Sequence, residues 1–285
     1  MIAPRLQAVA LTDAGRSPSG NEDAVLASGL LIAVADGSGG LDHGEVASSM
    51  AIATLMGLGP EPDPRSLVPA LLRVNADIRT LEAGALGHGA GAPGPAVTPM
   101  GTTCTVAVVH DGRVHIAHLG DSRAYLFRDD TLHRLTEDDD QGTSALGLDE
   151  QPTIDSLAFP LRAGDRLVVC TDGLHRWVSD AAIAAALVAA SSPGPAAADL
   201  VELANAAGAT DNVSVVVADY LGEPVDIVPA TGGEGADAEP HADAADEAAH
   251  EGPSPVPLVL AALTIAALLV VITATVMLNL PGQAG

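Results

Sequence analysis

Residues 30–48 read LLIAVADGSGGLDHGEVAS. An apolar run ends on Asp36-Gly37, the turn GSGG follows, and a helix-like stretch, EVASSMAIATLMG, begins at Glu45. A short continuous apolar run bounded by turn residues reads as a buried strand. What decides the fold is that the run ends on a carboxylate, because a charge beside a buried strand is costly unless something pairs with it. The pattern recurs. Asp172-Gly173 follows RLVVCT, Asp211-Asn212 precedes VSVVVA, and Asn21-Glu22-Asp23 precedes another strand. A simple turn accounts for any one Asp-Gly, but not for four acidic sites at apolar strand ends. The chain sets only 12 basic residues against 37 acidic ones, so divalent metal is the readier counter-charge. Hard oxygen ligands favour Mg²⁺ or Mn²⁺ over zinc, and no His/Cys cluster competes.

Working outward, TTCTVAVVH, RVHIAHLG, RAYLFR and TLHRLT also read as strands of sheets packed face to face. Asp111-Gly112 and Asp129-Asp130 are expected to turn hairpins. Helices are expected from Glu45, over residues 64–81 with Leu67, Leu71, Leu72, Val74 and Ile78 largely on one face, after a Ser179 cap, and over 195–207 with Gly208 as the stop. Residues 83–99 are rich in Gly, Ala and Pro and read as a loop.

The net charge of −25 argues against a nucleic-acid partner and favours metals or basic proteins. Cys104 and Cys170 lie in apolar runs without metal or CxxC spacing and read as reduced core thiols. The N-terminus lacks the pattern of a signal peptide. Residues 1–220 read as one domain. Residues 221–255 are acidic, Ala-, Gly- and Pro-rich and poor in large apolar side chains, and read as a disordered linker. The uncharged run VPLVLAALTIAALLVVITATVML then begins at Val256; at about 1.5 Å per residue it spans a bilayer core of about 30 Å. It is expected to form a transmembrane helix over 256–279, followed by a short tail, 280–285.

Seven segments resemble, in the same order, the bacterial PP2C-type metal-dependent Ser/Thr protein phosphatases. They are NEDAV (21–25), VADGSGGLDHGEVAS (34–48), GTT (101–103), HLGDSRAYLFR (118–128), LTEDDD (135–140), GDRLVVCTDGL (164–174) and TDNVSVVVA (210–218). The resemblance implies an α+β fold, a two-sheet antiparallel β-sandwich flanked by helices on both faces. It implies two Mn²⁺ or Mg²⁺ ions, with Asp36 bridging them, the Gly37 carbonyl on one, and Asp172 and Asp211 on the other. Glu22 and Asp23 resemble outer-shell acids, and Asp138 is placed to share a weaker third metal with Asp172. The implied reaction is hydrolysis of phosphoserine and phosphothreonine in proteins by a metal-activated water. Its implied partners are phosphoproteins and a membrane Ser/Thr kinase whose action it opposes.

Three positions depart from the family pattern. Pro18 stands where an arginine usually grips the substrate phosphate; an alternative alignment lets Arg16 reach in from a longer loop. Ser38 replaces a histidine found in some relatives. LTEDDD runs through QGTS almost directly to Ala145-Leu146-Gly147, so the flap segment is missing or vestigial. These losses leave open a second reading, a PP2C-like scaffold that binds a partner at the membrane without turnover. Retention of Asp36, Asp172 and Asp211 favours the enzyme. The expected location is a cell membrane, single-pass, with the catalytic domain cytoplasmic.

Overall fold

The computed structural model describes residues 5–16, 20–39, 43–86, 99–139 and 144–222. These belong to one compact unit, Met1–Pro229. The strands are β1 (Leu6–Asp13), β2 (Asp23–Ser28), β3 (Leu31–Ser38), β4 (Gly101–Thr102), β5 (Cys104–His110), β6 (Arg113–Leu119), β7 (Arg123–Arg128), β8 (Thr131–Arg134), β9 (Asp155–Pro160), β10 (Arg166–Cys170) and β11 (Val213–Tyr220). The helices are α1 (His43–Met56), α2 (Leu67–Leu86), α3 (Asp172–His175), α4 (Asp180–Ala189) and α5 (Pro193–Ala207).

Two antiparallel sheets result. One runs β1-β11-β10-β7-β8 and the other β2-β3-β5-β6-β9, with β4 attached to β3. The expected two-sheet α+β architecture is therefore present. Its central strands are buried on both faces for a visible reason. In β11, Val216 and Ala218 join the inter-sheet core, while Val213, Val215 and Val217 join a second core beneath α4 and α5. In β10, Leu167 and Val169 face one way and Val168 and Cys170 the other. On the opposite side α1 packs on β2 and β3, and α2 reaches β6.

Local signals act as expected at the hairpins and caps. Asp111 and Gly112 lie at φ 47° and 65°, and Asp129 and Asp130 at 51° and 57°, the left-handed pairs of tight hairpins. The Ser179 hydroxyl accepts from Ala182 N and opens α4, and Gly208, left-handed at φ 95°, ends α5. Leu67, Leu71, Val74 and Ile78 are buried along α2, but Leu72 is 44% exposed, a quarter turn off that stripe.

Two expectations change. Asp36-Gly37-Ser38 is not a turn but the end of β3. Gly37 pairs with Thr102 and Ser38 with Gly101, so β4 extends the ladder past the point where β5 leaves it. Strands β1 and β9 were not foreseen as strands; both lie at sheet edges and are largely exposed. Cys104 and Cys170 are free, fully buried and in separate cores, and burial pushes each thiol up to about 12. The expected linker lies outside the described residues apart from Leu221-Gly222, and the expected membrane span lies wholly outside them. Among the described residues no helix is long and apolar enough to cross a membrane.

Candidate functional site

The antiparallel register of β2 and β3 sets Asp23 directly opposite Asp36. Like charges in that position repel and weaken the ladder. The surrounding hydroxyls hold the pair in place. Thr103 N–H donates to the Asp36 carbonyl at 2.9 Å, the Thr102 hydroxyl donates to it at 3.0 Å, and Asp36 N–H donates to Thr103 Oγ1 at 3.1 Å. Thr171 Oγ1 donates to Asp23 Oδ2 at 2.9 Å and accepts from Ser214 N–H at 3.1 Å. The two sheets therefore meet at this mouth through Thr171.

Asp172 opens the single turn α3 at the end of β10, where the chain leaves the sheet. Gly173 makes that turn fit: a Cβ there would lie 1.9 Å from the Asn212 carbonyl oxygen. The close approach brings the Asp172 turn against the Asp211-Asn212 segment. Asn212, only 4% exposed, then ties the N-terminal loop to β11. Its Oδ1 accepts from Glu22 N–H at 2.8 Å, and its Nδ2 donates to the carbonyls of Ala14 at 3.0 Å and Gly20 at 2.8 Å. The Glu22 carbonyl accepts from Gly37 N–H and from the Ser48 hydroxyl. Gly37 and Gly44 touch backbone to backbone, since a Cβ on Gly37 would stand 2.1 Å from the Gly44 oxygen.

Electrostatics record the crowding. Burial first, then the repulsion of Asp172 and Asp211, push Asp23 up to about 7. Burial and the charges of Asp23, Asp172 and Asp211 push Asp36 well up, and burial raises Asp172 against the pull of Arg176. Asp172 Oδ1 is buried with no hydrogen-bond donor assigned to it.

The structure thus brings together Glu22, Asp23, Asp36, Gly37, Asp172 and Asp211. Among the described residues no three His, Cys, Asp or Glu side chains converge tightly enough to hold an ion by themselves. The donors are hard oxygens, with an undonated oxygen on Asp172 and the Gly37 backbone at the end of β3. That set fits a divalent cation of the Mg²⁺ or Mn²⁺ class.

Asp138 is arranged differently. It takes a two-pronged bond from Arg123 (2.9 and 2.7 Å) and a 2.9 Å pair from Arg134, and these arginines hold its carboxyl below the usual range against the opposing effect of burial. Arg16 sits exposed beside Gly15, whose Cα packs on the Asp211 carbonyl so closely that a Cβ would lie 2.1 Å from it. Pro18 lies outside the described residues. Thr171, Asn212 and Arg176 had no assigned role in the sequence reading; Thr171 and Asn212 adjoin expected ligands and Arg176 lies one helical turn after Asp172, which is the signal the sequence offered.

The family model for protein phosphatase 2C matches residues 16–213. The chain is 36% identical over 244 residues to the serine/threonine protein phosphatase PstP of Mycobacterium tuberculosis, covering 76% of this chain and 45% of PstP. It thus spans less than half the length of that relative. It is 27% identical to the protein phosphatase PhpP of Streptococcus pneumoniae over 73% of this chain and 94% of PhpP. A crystal structure of the Mycobacterium tuberculosis PstP superposes with a TM-score of 0.67 at 34% identity, covering 75% of this chain and 98% of that one. The PstP catalytic domain in complex with two manganese ions gives 0.68 at 35% identity, over 77% of this chain and all of that one.

Proposed function

The chain belongs to the protein phosphatase 2C family, and from that premise we propose that it hydrolyses phosphoserine and phosphothreonine in proteins, with two bound Mn²⁺ or Mg²⁺ ions. The observation that carries this reading is the meeting of buried Asp23 and Asp172 with half-buried Asp36 and, at the rim, exposed Asp211, with Asp172 Oδ1 undonated. Protons relieve such repulsion in the metal-free site, and divalent cations would relieve it with the acids ionised. Asp36, the Gly37 carbonyl, Asp172 and Asp211 would hold the ions. When bound, two divalent cations neutralise phosphoryl oxygens and make a water nucleophilic near neutral pH.

The chain's own residues supply the rest. Asp36 and Asp172, both raised by burial, would be held ionised by bound cations. Asp23 is held at Oδ2 by Thr171, and in the metal-free site burial raises it to about 7; bound cations would favour its ionised form. Arg16 stands at the mouth beside Asp211, where a guanidinium can meet a phosphoryl group. In the reaction a water oxygen bonds to phosphorus as the phosphorus–oxygen bond to the serine or threonine breaks, and the side-chain hydroxyl regains a proton.

Finer features belong to the same proposal. The short connection from Asp139 to Ala145 leaves the site without a flap, open to large folded phosphoproteins. The acidic surface favours basic ones, including substrates of a membrane Ser/Thr kinase. Residues 256–279 anchor the chain as a single span with the phosphatase in the cytoplasm, and the acidic linker holds it off an anionic leaflet. Fractionation of cells into membrane and soluble protein tests the anchor.

The central test is turnover. The full chain in detergent should hydrolyse p-nitrophenyl phosphate and a phosphothreonine peptide only with Mn²⁺ or Mg²⁺, and Asp36→Asn should abolish this. Binding of phosphoprotein without turnover at any metal concentration would instead support the scaffold.

A further inference from the structure

Arg176 lies four residues after Asp172, at the end of α3, in the sequence TDGLHRW. Its backbone N–H donates to the Asp172 carbonyl at 3.0 Å, so the helical turn that positions Asp172 also positions Arg176. Its guanidinium spans two carboxylates: Nη1 lies 2.8 Å from Asp172 Oδ2, and Nη2 lies 2.7 Å from Asp121 Oδ2. Asp121 is itself fixed, because His175 Nε2 lies 2.9 Å from its carbonyl oxygen. The two acid side chains are 8% and 19% exposed and the arginine 60%, so the cation caps the acids from the solvent side.

One guanidinium thus reaches both carboxylates, and the charge of Asp121 pushes Asp172 upward. Two carboxylates within reach of one small cation are what draws a divalent ion. The expected partner of Asp172 in a third site, Asp138, spends its oxygens on Arg123 and Arg134. We infer that Arg176 is a built-in cation, bridging Asp121 and Asp172 so that the centre loads with two divalent ions and not a third. The inference rests on the metal-dependent reading above.

Two consequences follow from the chemistry of the group. A guanidinium is charged at every working pH and cannot be lost by dilution, unlike a weakly held ion. It also fixes Asp172 in advance. With Oδ2 engaged by Arg176, the buried and undonated Oδ1 is the atom left for an ion. Arg176 is in this sense a positioning residue, acting through Asp172.

Calorimetric titration of Mn²⁺ into the metal-free full chain tests this. The natural chain should take up two ions and Arg176→Gln should gain a third, weaker one. Adding Asp121→Asn to Arg176→Gln should remove that third event, and Arg176→Lys should restore the count of two. The rate against Mn²⁺ concentration should saturate at about tenfold higher metal in Arg176→Gln, the loss expected of one charge-assisted contact. Three ions on the natural chain, or two on Arg176→Gln with unchanged affinities, would overturn the inference while leaving the phosphatase intact. No ion on the natural chain would overturn the metal-dependent reading itself. Should Arg176→Gln fail to fold, Asp121→Asn alone must still take up two ions, and a third would count against the bridge.

Discussion

Thr171 Oγ1 donates to Asp23 Oδ2 across 2.9 Å, joining the residue before Asp172 in one sheet to the first residue of β2 in the other. The same oxygen accepts from Ser214 N–H, so one hydroxyl serves β11, the β10–α3 junction and β2. Thr171→Val keeps the shape and removes the hydroxyl, taking one of two hydroxyl partners from Asp23, where Ser214 is the other, and the acceptor from Ser214 N–H. The expected cost is about 2 kcal/mol in the metal-free protein, the usual penalty for orphaning buried polar groups. Denaturant unfolding at pH 7 measures it, and an unchanged midpoint would remove Thr171 from the frame of the site.

The metal-free protein should gain stability as pH falls from 8 to 6.5. Burial raises Asp23 to about 7, and Asp36 and Asp172 are raised as well. A carboxyl whose folded pKa lies above its unfolded value of about 4 stabilises fully below that value and loses the effect as pH rises through the folded pKa. His115, His118 and His175 shift the other way, lowered chiefly by burial, and their opposing effect grows as pH falls through their ordinary value of about 6.5. The window from 8 to 6.5 therefore isolates the acids. Saturating Mn²⁺ should flatten or reverse the slope, because ions favour the ionised carboxylates. Asp23→Asn should raise the melting temperature at pH 8 and weaken the dependence. A metal-free melting temperature that drops between pH 8 and 6.5 would contradict the assigned acid cluster.

The four acidic positions were legible because each adjoins an apolar run, where a carboxylate stands out against the period of the strand. The inter-sheet core was legible for the same reason, from runs such as VSVVVA. What was missed lacked a local signal. Strands β1 and β9 are edge strands with weak apolar alternation, and their pairing with β11 and β6 is a long-range choice. Asp36-Gly37-Ser38 reads as a turn from its glycines, yet β4 arrives from beyond α2 and recruits it into a ladder. Arg176 lies two residues past the GDRLVVCTDGL segment, and its meaning depends on Asp121, brought to it from the β6–β7 connection.

Gly173→Ala should damage the centre more than an exposed helical Gly→Ala change would. The added methyl would fall 1.9 Å from the Asn212 oxygen, and neither backbone can move without parting the Asp172 turn from the Asp211-Asn212 segment. A shift of that kind separates two expected ligands, so Mn²⁺ affinity should fall by at least about tenfold, near 1.4 kcal/mol. Titration of metal against melting temperature reads this directly. A variant with natural metal affinity would mean that the close contact serves packing alone.

Arg16 is the remaining candidate for holding the substrate phosphate. Gly15 N–H donates to Asp13 Oδ1 at 2.8 Å, and Asn205 Nδ2 donates to the same oxygen at 3.2 Å, so the turn before Arg16 is tied to α5. Gly15, at φ 58°, presses its Cα on the Asp211 carbonyl, an approach no side chain would allow. Arg16 is therefore delivered beside an expected metal ligand from an anchored turn, with its guanidinium in solvent. Arg16→Ala should lower kcat/KM for a phosphothreonine peptide by at least about tenfold, as loss of a charge-assisted phosphate contact does. Metal affinity should stay natural, because Arg16 makes no ion pair among the described residues. Arg16→Lys should recover only part of the loss, since an ammonium cannot engage two phosphoryl oxygens in one plane. Natural kinetics in Arg16→Ala would assign phosphate binding to the bound ions alone.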